Sequence, residues 1–310
     1  VEAFKKSGAD YIIAIGGGSS MDTSKAIGII ITNPEFADVV SLEGVAPTKK
    51  PSVPIIAVPT TAGTGSEVTL ASIITDSEKQ HKYALMSFPL IPRYAVLDAS
   101  LTYSLPQHLT STTGMDALTH AVEAYIGRST SKETRKLALE ATKLIFENIE
   151  IAYADGKNHQ ARENMLYAAY KAGVAFSKSY VGYIHASAHS LGGQYGTPHG
   201  LANAVIMPYV LKAYGQSAYK KLHKLAVVAG ISNEGETHKI GAEKFIKAIE
   251  QLNAKMQIPD KLTGIREEDI SIMAKHAEKE AHPLYPVPKL MTRKELENFY
   301  YEIADWSESK

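Results

Sequence analysis

Residues 182–200, GYIHASAHSLGGQYGTPHG, carry three histidines: His185, His189 and His199. His185 and His189 are four apart, so on a helix their rings share one face. Pro198 favours the first turn of a new helix, which would bring His199 in across a Gly-rich turn. Upstream, GMDALTHAVEAYI repeats the i, i+4 spacing with Asp116 and His120. One carboxylate and several imidazoles on three helical segments can hold a divalent cation. A single histidine is usually ordinary core or surface, but these come paired. Small neighbours (Ala117, Ala121, Ala186, Ala188) leave room beside them. A buried aspartate without a cationic partner is costly, and a metal removes that cost. The working ligand set is Asp116, His120, His185 and His199, with His189 nearby. Spacing alone does not decide among His185, His189 and His199, since i, i+4 histidines can both ligate. The pair encloses Ala186, Ser187 and Ala188 rather than a glutamate, which argues against a zincin-type protease.

The chain contains no cysteine, so any metal takes N and O ligands. That suits Fe(II) or Zn(II), with Mn or Co also allowed. A metal can lower the pKa of bound water from ~15.7 to ~7, roughly 12 kcal/mol of help to deprotonation. A histidine base alone contributes about 10²–10⁴-fold, roughly 3–5 kcal/mol. The metal would dominate an oxygen-acid reaction, and a histidine would complete the proton's route.

Helices must position these groups, and the second half of the chain supplies them. Periodicity predicts helices over about 106–126, 132–154, 159–178, 184–194, 200–213, 217–229, 238–253, 267–281 and 292–304. Small residues at Ala168, Ala169, Ala172, Gly173 and Ala175 predict close helix packing. Thr292 and Glu295 form a capping box on the last helix, so the natural C-terminus is expected to be present.

The first half reads differently. VEAFKKSGAD is a helix end stopped at Gly8, and its abrupt opening suggests a start upstream. YIIAI (11–15) and PIIAVP (54–59) read as buried parallel strands. GGGSSMDTSK turns sharply from the first into a helix whose N-terminus offers N–H groups to a phosphate. Ser19 or Ser20 is the expected N-cap, with Asp22 in the first turn and Lys25 facing a ligand or solvent. TTAGTGSEVT (60–69) is a second Gly- and hydroxyl-rich loop at the carboxyl edge where ligands of open α/β sheets bind. Either loop could be a plain turn, and the first is not the spaced G-x-G-x-x-G pattern; two together favour a shared ligand. ASIIT (71–75), YALMS (83–87) and YAVLD (94–98) are further short strands, separated by DSEKQHK and FPLIPR. Residues 33–53 read as a surface connection, and Lys82 as a solvated lysine. An α/β domain over 1–105 and an all-helical domain over 106–310 follow.

Thirty-three basic and thirty-three acidic residues cancel, so neither nucleic acid nor an anionic membrane is called for. The apolar runs are too short to span a bilayer, and no signal peptide is visible; a cytoplasmic protein is expected.

Four motifs, GGGSSMDTSK, PTTAGTGSE, GMDALTHAVEAY and GYIHASAHSLGGQYGTPHG, occur in the order found in the iron-containing (group III) alcohol dehydrogenases. The chain resembles that family over nearly its whole length, with the flavour of its lactaldehyde reductase and short-chain alcohol dehydrogenase branch. The resemblance implies an N-terminal α/β dinucleotide-binding domain, here without the family's first βαβ segment. It also implies a helical C-terminal domain, with metal and active site in the cleft between. It makes Asp116, His120, His185 and His199 ligands of Fe(II) or Zn(II), and places His189 beside substrate and nicotinamide as the catalytic histidine. It puts Gly17, Gly18 and Ser19 on the pyrophosphate of NAD or NADP. Thr60, Thr61 and Thr64 would line the phosphate and nicotinamide side, with Lys82 near the ribose. The implied reaction moves a hydride between a small primary alcohol or diol, or its aldehyde, and NAD(P). Oligomeric state is left open, a homodimer among the options. HPLYPVP (282–288) departs from the family in lacking an Asn-Pro before the last helix.

Three rivals stand beside this reading. A dehydroquinate-synthase or glycerol-dehydrogenase-like relative would use NAD and metal on a polyol or sugar acid. Acting on a phosphorylated sugar acid would call for Lys and Arg around the substrate, and residues 183–208 contain none. A metal-dependent hydrolase needs a carboxylate base, for which Glu123, at i+7 from Asp116, is the candidate. A non-catalytic nucleotide-binding protein is the third.

Overall fold

The computed structural model describes residues 1–45, 47–76 and 81–308. It opens with α1 (Glu2–Ser7), closed by Gly8 at φ 67, as the sequence predicts. The described residues then form the strands β1 (Ile12–Gly16), β2 (Ile55–Pro59), β3 (Ala71–Asp76), β4 (His81–Met86) and β5 (Tyr94–Ala95). β1, β2 and β5 form a parallel sheet in that order, with Ile12 opposite Ile55 and Ile56 opposite Tyr94. The strand expected over 94–98 pairs through two residues only. β3 and β4 form a separate antiparallel hairpin, Ala71 opposite Met86 and Asp76 opposite His81. Most of the predicted DSEKQHK connection, residues 77–80, lies outside the described residues.

Helix α2 (Gly18–Thr32) covers one face of the parallel sheet, where Met21 packs with Ala14, Ile55 and Ala57. Strand side chains alternate between faces. Ile13 and Ile15 therefore point the other way and are 53% and 61% exposed. The expectation of a fully buried strand at 11–15 holds for one face alone. The 33–53 connection is also more than surface: buried Asn33 donates to Ile29 O and Lys50 O and accepts from Lys49 N and Lys50 N.

The start of α2 differs from expectation in an informative way. Its N-cap is Gly17, no side chain caps it, and its first turn holds no acid. Ser19 and Ser20 lie inside the helix, and Asp22 faces inward. Lys25 meets neither ligand nor solvent. It is fully buried and donates to Ser66 Oγ (2.8 Å), Thr69 O (3.0 Å), Thr69 Oγ1 (3.1 Å) and Ala71 O (2.8 Å). Asp22 accepts from Ser66 Oγ at 2.6 Å and from Ile73 N at 3.1 Å. These bonds fasten the second Gly-rich loop to α2. Burial pulls the Lys25 ammonium down to about 8 against the opposing pull of Asp22 and Glu67.

Among the described residues nine helices then follow: α3 (Gln107–Ile126), α4 (Lys132–Ala154), α5 (His159–Ser179), α6 (Tyr183–Tyr195), α7 (His199–Tyr214), α8 (Gln216–Val228), α9 (His238–Lys255), α10 (Glu267–Ala281) and α11 (Arg293–Ile303). Every residue of α3 from 114 to 126 is buried. Other helices enclose it, chiefly α4, α5 and α7, so its polar residues there, Asp116, Thr119, His120 and Glu123, are buried too. The close packing predicted for the small residues of α5 is present: Ala168, Ala169, Ala172 and Gly173 are all buried. Thr292 and Glu295 form the predicted capping box on α11. No helix among the described residues is long and apolar enough to cross a membrane.

Glu67, 2% exposed, is pushed up from 4.5 to about 7 by burial. Its folded pKa exceeds its unfolded one, so the folded chain binds more protons between those values. Stability from this group is therefore lost as pH rises through that window. Glu67→Gln is expected to raise Tm over the native chain at about pH 8 but hardly at about pH 5. A Tm difference that stays constant with pH would contradict this.

Candidate active site

Helix α3 places Asp116 and His120 one turn apart, α6 does the same for His185 and His189, and α7 begins at His199. Gly196, at φ 68, closes α6, and Pro198 is the N-cap of α7, one residue ahead of its expected place in the first turn. Gly200 lets α7 touch α3, because a Cβ there would lie 2.3 Å from Thr112 O. The helices therefore converge. Asp116, His120 and His185 each offer a ligand atom within 4.8 Å of the others. His199 stands at the margin, its Nε2 3.4 Å from Asp116 Oδ1 and its ring centre 5.4 Å from that of His185. The His189 ring stacks on His199 at 4.9 Å, while its Nδ1 turns away to Glu280 Oε1 at 2.7 Å.

Their electrostatics are those of an incomplete cluster. Nδ1 of His120, Nε2 of His185 and Nδ1 of His199 are buried without a hydrogen-bond partner. Each such atom typically costs about 1–3 kcal/mol. Burial holds the His120 and His199 imidazoles well below their ordinary range, so both are neutral with a lone pair to give. Burial raises the Asp116 carboxyl, opposed by His185 and by Asn203, whose Nδ2 donates to Asp116 Oδ1 at 2.7 Å. For His185, burial works against charge, but Glu123 outweighs it and the imidazole is raised. A carboxylate and three imidazoles, all buried except the partly exposed His199, whose Nε2 is shared with Asn203 Nδ2 at 3.1 Å, fit a divalent cation.

Glu123 shares the face of Asp116, as its spacing suggests, but it is no free base. Its Oε2 accepts from Gly182 N (2.8 Å) and His185 Nδ1 (2.6 Å), and its Oε1 accepts from Ile184 N (2.8 Å). It therefore caps α6 and fixes the His185 ring with Nε2 toward Asp116, 3.8 Å away. That removes the carboxylate the hydrolase reading needed. Asn203 was missed from sequence, although it repeats the i, i+4 spacing from His199. Glu280 and Tyr285 come from the end of α10 and beyond, with no sequence signal linking them to the histidines.

A cavity of about 550 Å³ runs from Gly18 and Ser19 at the start of α2, past Thr64 and Lys82, to His185, His189 and His199. Gly17, Thr60 and Thr61 do not line it. At Gly18 a Cβ would meet Thr64 Cγ2 at 2.8 Å, so glycine here lets the two loops touch. Lys82 is not the solvated lysine expected. It lies in the cavity wall, and burial lowers its pKa against Asp116, Asp22 and Glu280.

The start of α2, which no side chain caps, turns its N–H groups to the far end of this cavity, where an anion such as a phosphate is favoured. That helix start and the histidine cluster line one cavity, which suits a cation at one end and a phosphate-bearing ligand at the other. Residues 1–99 match the family model for iron-containing alcohol dehydrogenase, and residues 110–304 match that for the C-terminal part of the Fe-containing alcohol dehydrogenase family. The chain belongs to the iron-containing alcohol dehydrogenase family. It is 45% identical over 276 residues to the lactaldehyde reductase of Escherichia coli K12, covering 88% of this chain and 72% of that protein. A crystal structure of a 1,3-propanediol oxidoreductase superposes with a TM-score of 0.92 at 38% identity, covering 97% of this chain and 79% of that one. The sulfoacetaldehyde reductase of Bifidobacterium kashiwanohense, solved with NAD+, gives 0.84 at 31% identity, covering 98% and 78%.

Glu123→Gln keeps the shape of the clamp but loses one acceptor. It is expected to weaken the binding of added Fe(II) or Zn(II) by about 10–100-fold, measured by competition with a chromophoric chelator. Unchanged metal affinity would show that the clamp serves helix capping alone.

Proposed function

We propose that the chain oxidises a small, uncharged primary alcohol or diol, and reduces the matching aldehyde, using NAD(P) and one Fe(II) or Zn(II) held by Asp116, His120, His185 and His199. What supports this best is the convergence of His120, His185 and His199 on buried Asp116, with the partnerless Nε2 of His185 3.8 Å from it, in a cavity that ends at the uncapped start of α2. Bound there, the cation supplies Lewis acidity toward the substrate oxygen and the nicotinamide accepts or returns the hydride. In this reading residues 1–105 form the dinucleotide-binding domain and 106–310 the metal-binding domain, with the site in the cleft between them.

The chain's own residues do the positioning. The N-terminus of α2, with Gly17, Gly18 and Ser19, offers N–H groups to the pyrophosphate. Thr60, Thr61 and Thr64 flank it on the adjoining loop, and Lys82 serves the ribose side. Glu123 and Asn203 keep His185 and Asp116 from turning away. Phe176, stacked on His120 at 4.1 Å, and Ile73, Ala84 and Met86 form an apolar wall that excludes water. His189 takes the hydroxyl proton in oxidation and returns it in reduction. The absence of Lys and Arg from residues 183–208 supports an uncharged substrate.

His199→Ala is expected to lose bound metal and nearly all NADH formation. His189→Ala should retain metal and lose about 10²–10⁴-fold in rate. Elemental analysis and NADH absorbance measure both. A His189→Ala protein without metal would overturn this division of roles.

A further inference from the structure

Glu280 lies outside the four motifs that carry the family resemblance and is 91 residues from His189 in the chain. Its Oε1 accepts from His189 Nδ1 at 2.7 Å and from Tyr285 OH at 2.7 Å. A carboxylate oxygen only accepts, so His189 must carry its proton on Nδ1, leaving Nε2 as the acceptor. Tyr285 is 8% exposed, and its hydroxyl fixes the carboxylate from a second direction. His189 also stands in a wall between two cavities. One is the 550 Å³ cavity of Asp116; the other, of about 320 Å³, is lined by Glu280, His276 and Lys279. Glu280 thus grips the ring from the side away from the ligand cluster.

We propose that Glu280 is the positioning residue of His189: it fixes the tautomer that presents Nε2 to the reacting hydroxyl and stabilises the imidazolium once the proton arrives. This rests on the role given above to His189. The proton moves from the substrate hydroxyl to Nε2, the Nδ1 proton stays in place, and Glu280 remains a carboxylate throughout. An orienting carboxylate behind a histidine base is a general device, and its loss leaves a mis-set tautomer. The competing explanation is a simple tie between α6 and α10, with no bearing on chemistry.

Two measurements separate these. The first is the ¹⁵N spectrum of imidazole nitrogens in Zn(II)-loaded protein, with the His189 signals assigned by their loss in His189→Ala. The native chain should show a protonated Nδ1 and a bare Nε2 at about pH 8, and Glu280→Ala should lose that preference. The second is kinetic. Glu280→Ala should lower kcat by about 10–100-fold, with KM within about threefold and metal content unchanged. The milder Tyr285→Phe should cost a few-fold in kcat. In a His189→Ala background, Glu280→Ala should change the residual rate by no more than about twofold, because its effect passes through that ring. A proton on Nε2 in the native chain, or an undiminished cost of Glu280→Ala without His189, would overturn the proposal. If no alcohol is oxidised at all, the proposed function fails, and the tautomer still decides the role of Glu280.

Discussion

Glu123 sits where α3 meets the start of α6, with almost no contact with water, and its two oxygens take three short hydrogen bonds. Two of those bonds satisfy backbone N–H groups at a helix N-terminus, where a negative charge is also favoured by the helix dipole. The third holds an imidazole. One buried side chain therefore sets the entry angle of α6 and the rotation of His185 at once. His189 and His199 inherit their positions from the same junction, since His189 is one turn further along α6 and α7 follows after a turn closed by Gly196. Cutting this contact would leave a buried charge and two N–H groups without partners, a far larger loss than one bond suggests.

The cluster that results is poised rather than relaxed. Two imidazoles held below their ordinary range, a third drawn toward charge by Glu123, and a carboxylate whose ionisation burial resists are gathered at one end of a cavity. The fully buried stretch of α3 holds Asp116 and His120 in place, and the Glu123 clamp holds His185. Preorganisation of this kind places the reorganisation cost in folding rather than in each turnover.

Much of this was legible in the sequence, for a physical reason. Helical periodicity is local, so α4 and α10 run over the residues that their patterns predict, and the Thr292–Glu295 capping box is read from four consecutive positions. The i, i+4 pairs of Asp116 with His120 and His185 with His189 are likewise local. What failed depended on distant partners. Lys25 looks like a surface or ligand lysine until Ser66, Thr69 and Ala71 are known to surround it. Glu123 has the spacing of a catalytic acid and is instead fully occupied by residues about sixty positions away. Ile13 and Ile15 read as core, but burial of a strand depends on what covers each face. Ser19 and Ser20 match the N-cap preference, yet glycine takes that position.

The hairpin β3–β4 shares no ladder with the parallel sheet. Along β4 the side chains alternate: Tyr83 and Leu85 anchor it against Ala26, Ile29 and Ile30 of α2, while Lys82, Ala84 and Met86 face the cavity. The candidate ligands thus stand on helices, while part of the chamber wall, at Ala84 and Met86, stands on a hairpin laid over them. Mutation can resize the chamber at Ala84 or Met86 while leaving the helical scaffold untouched. That separation gives a lineage with a fixed reaction a ready means of changing what it reacts with.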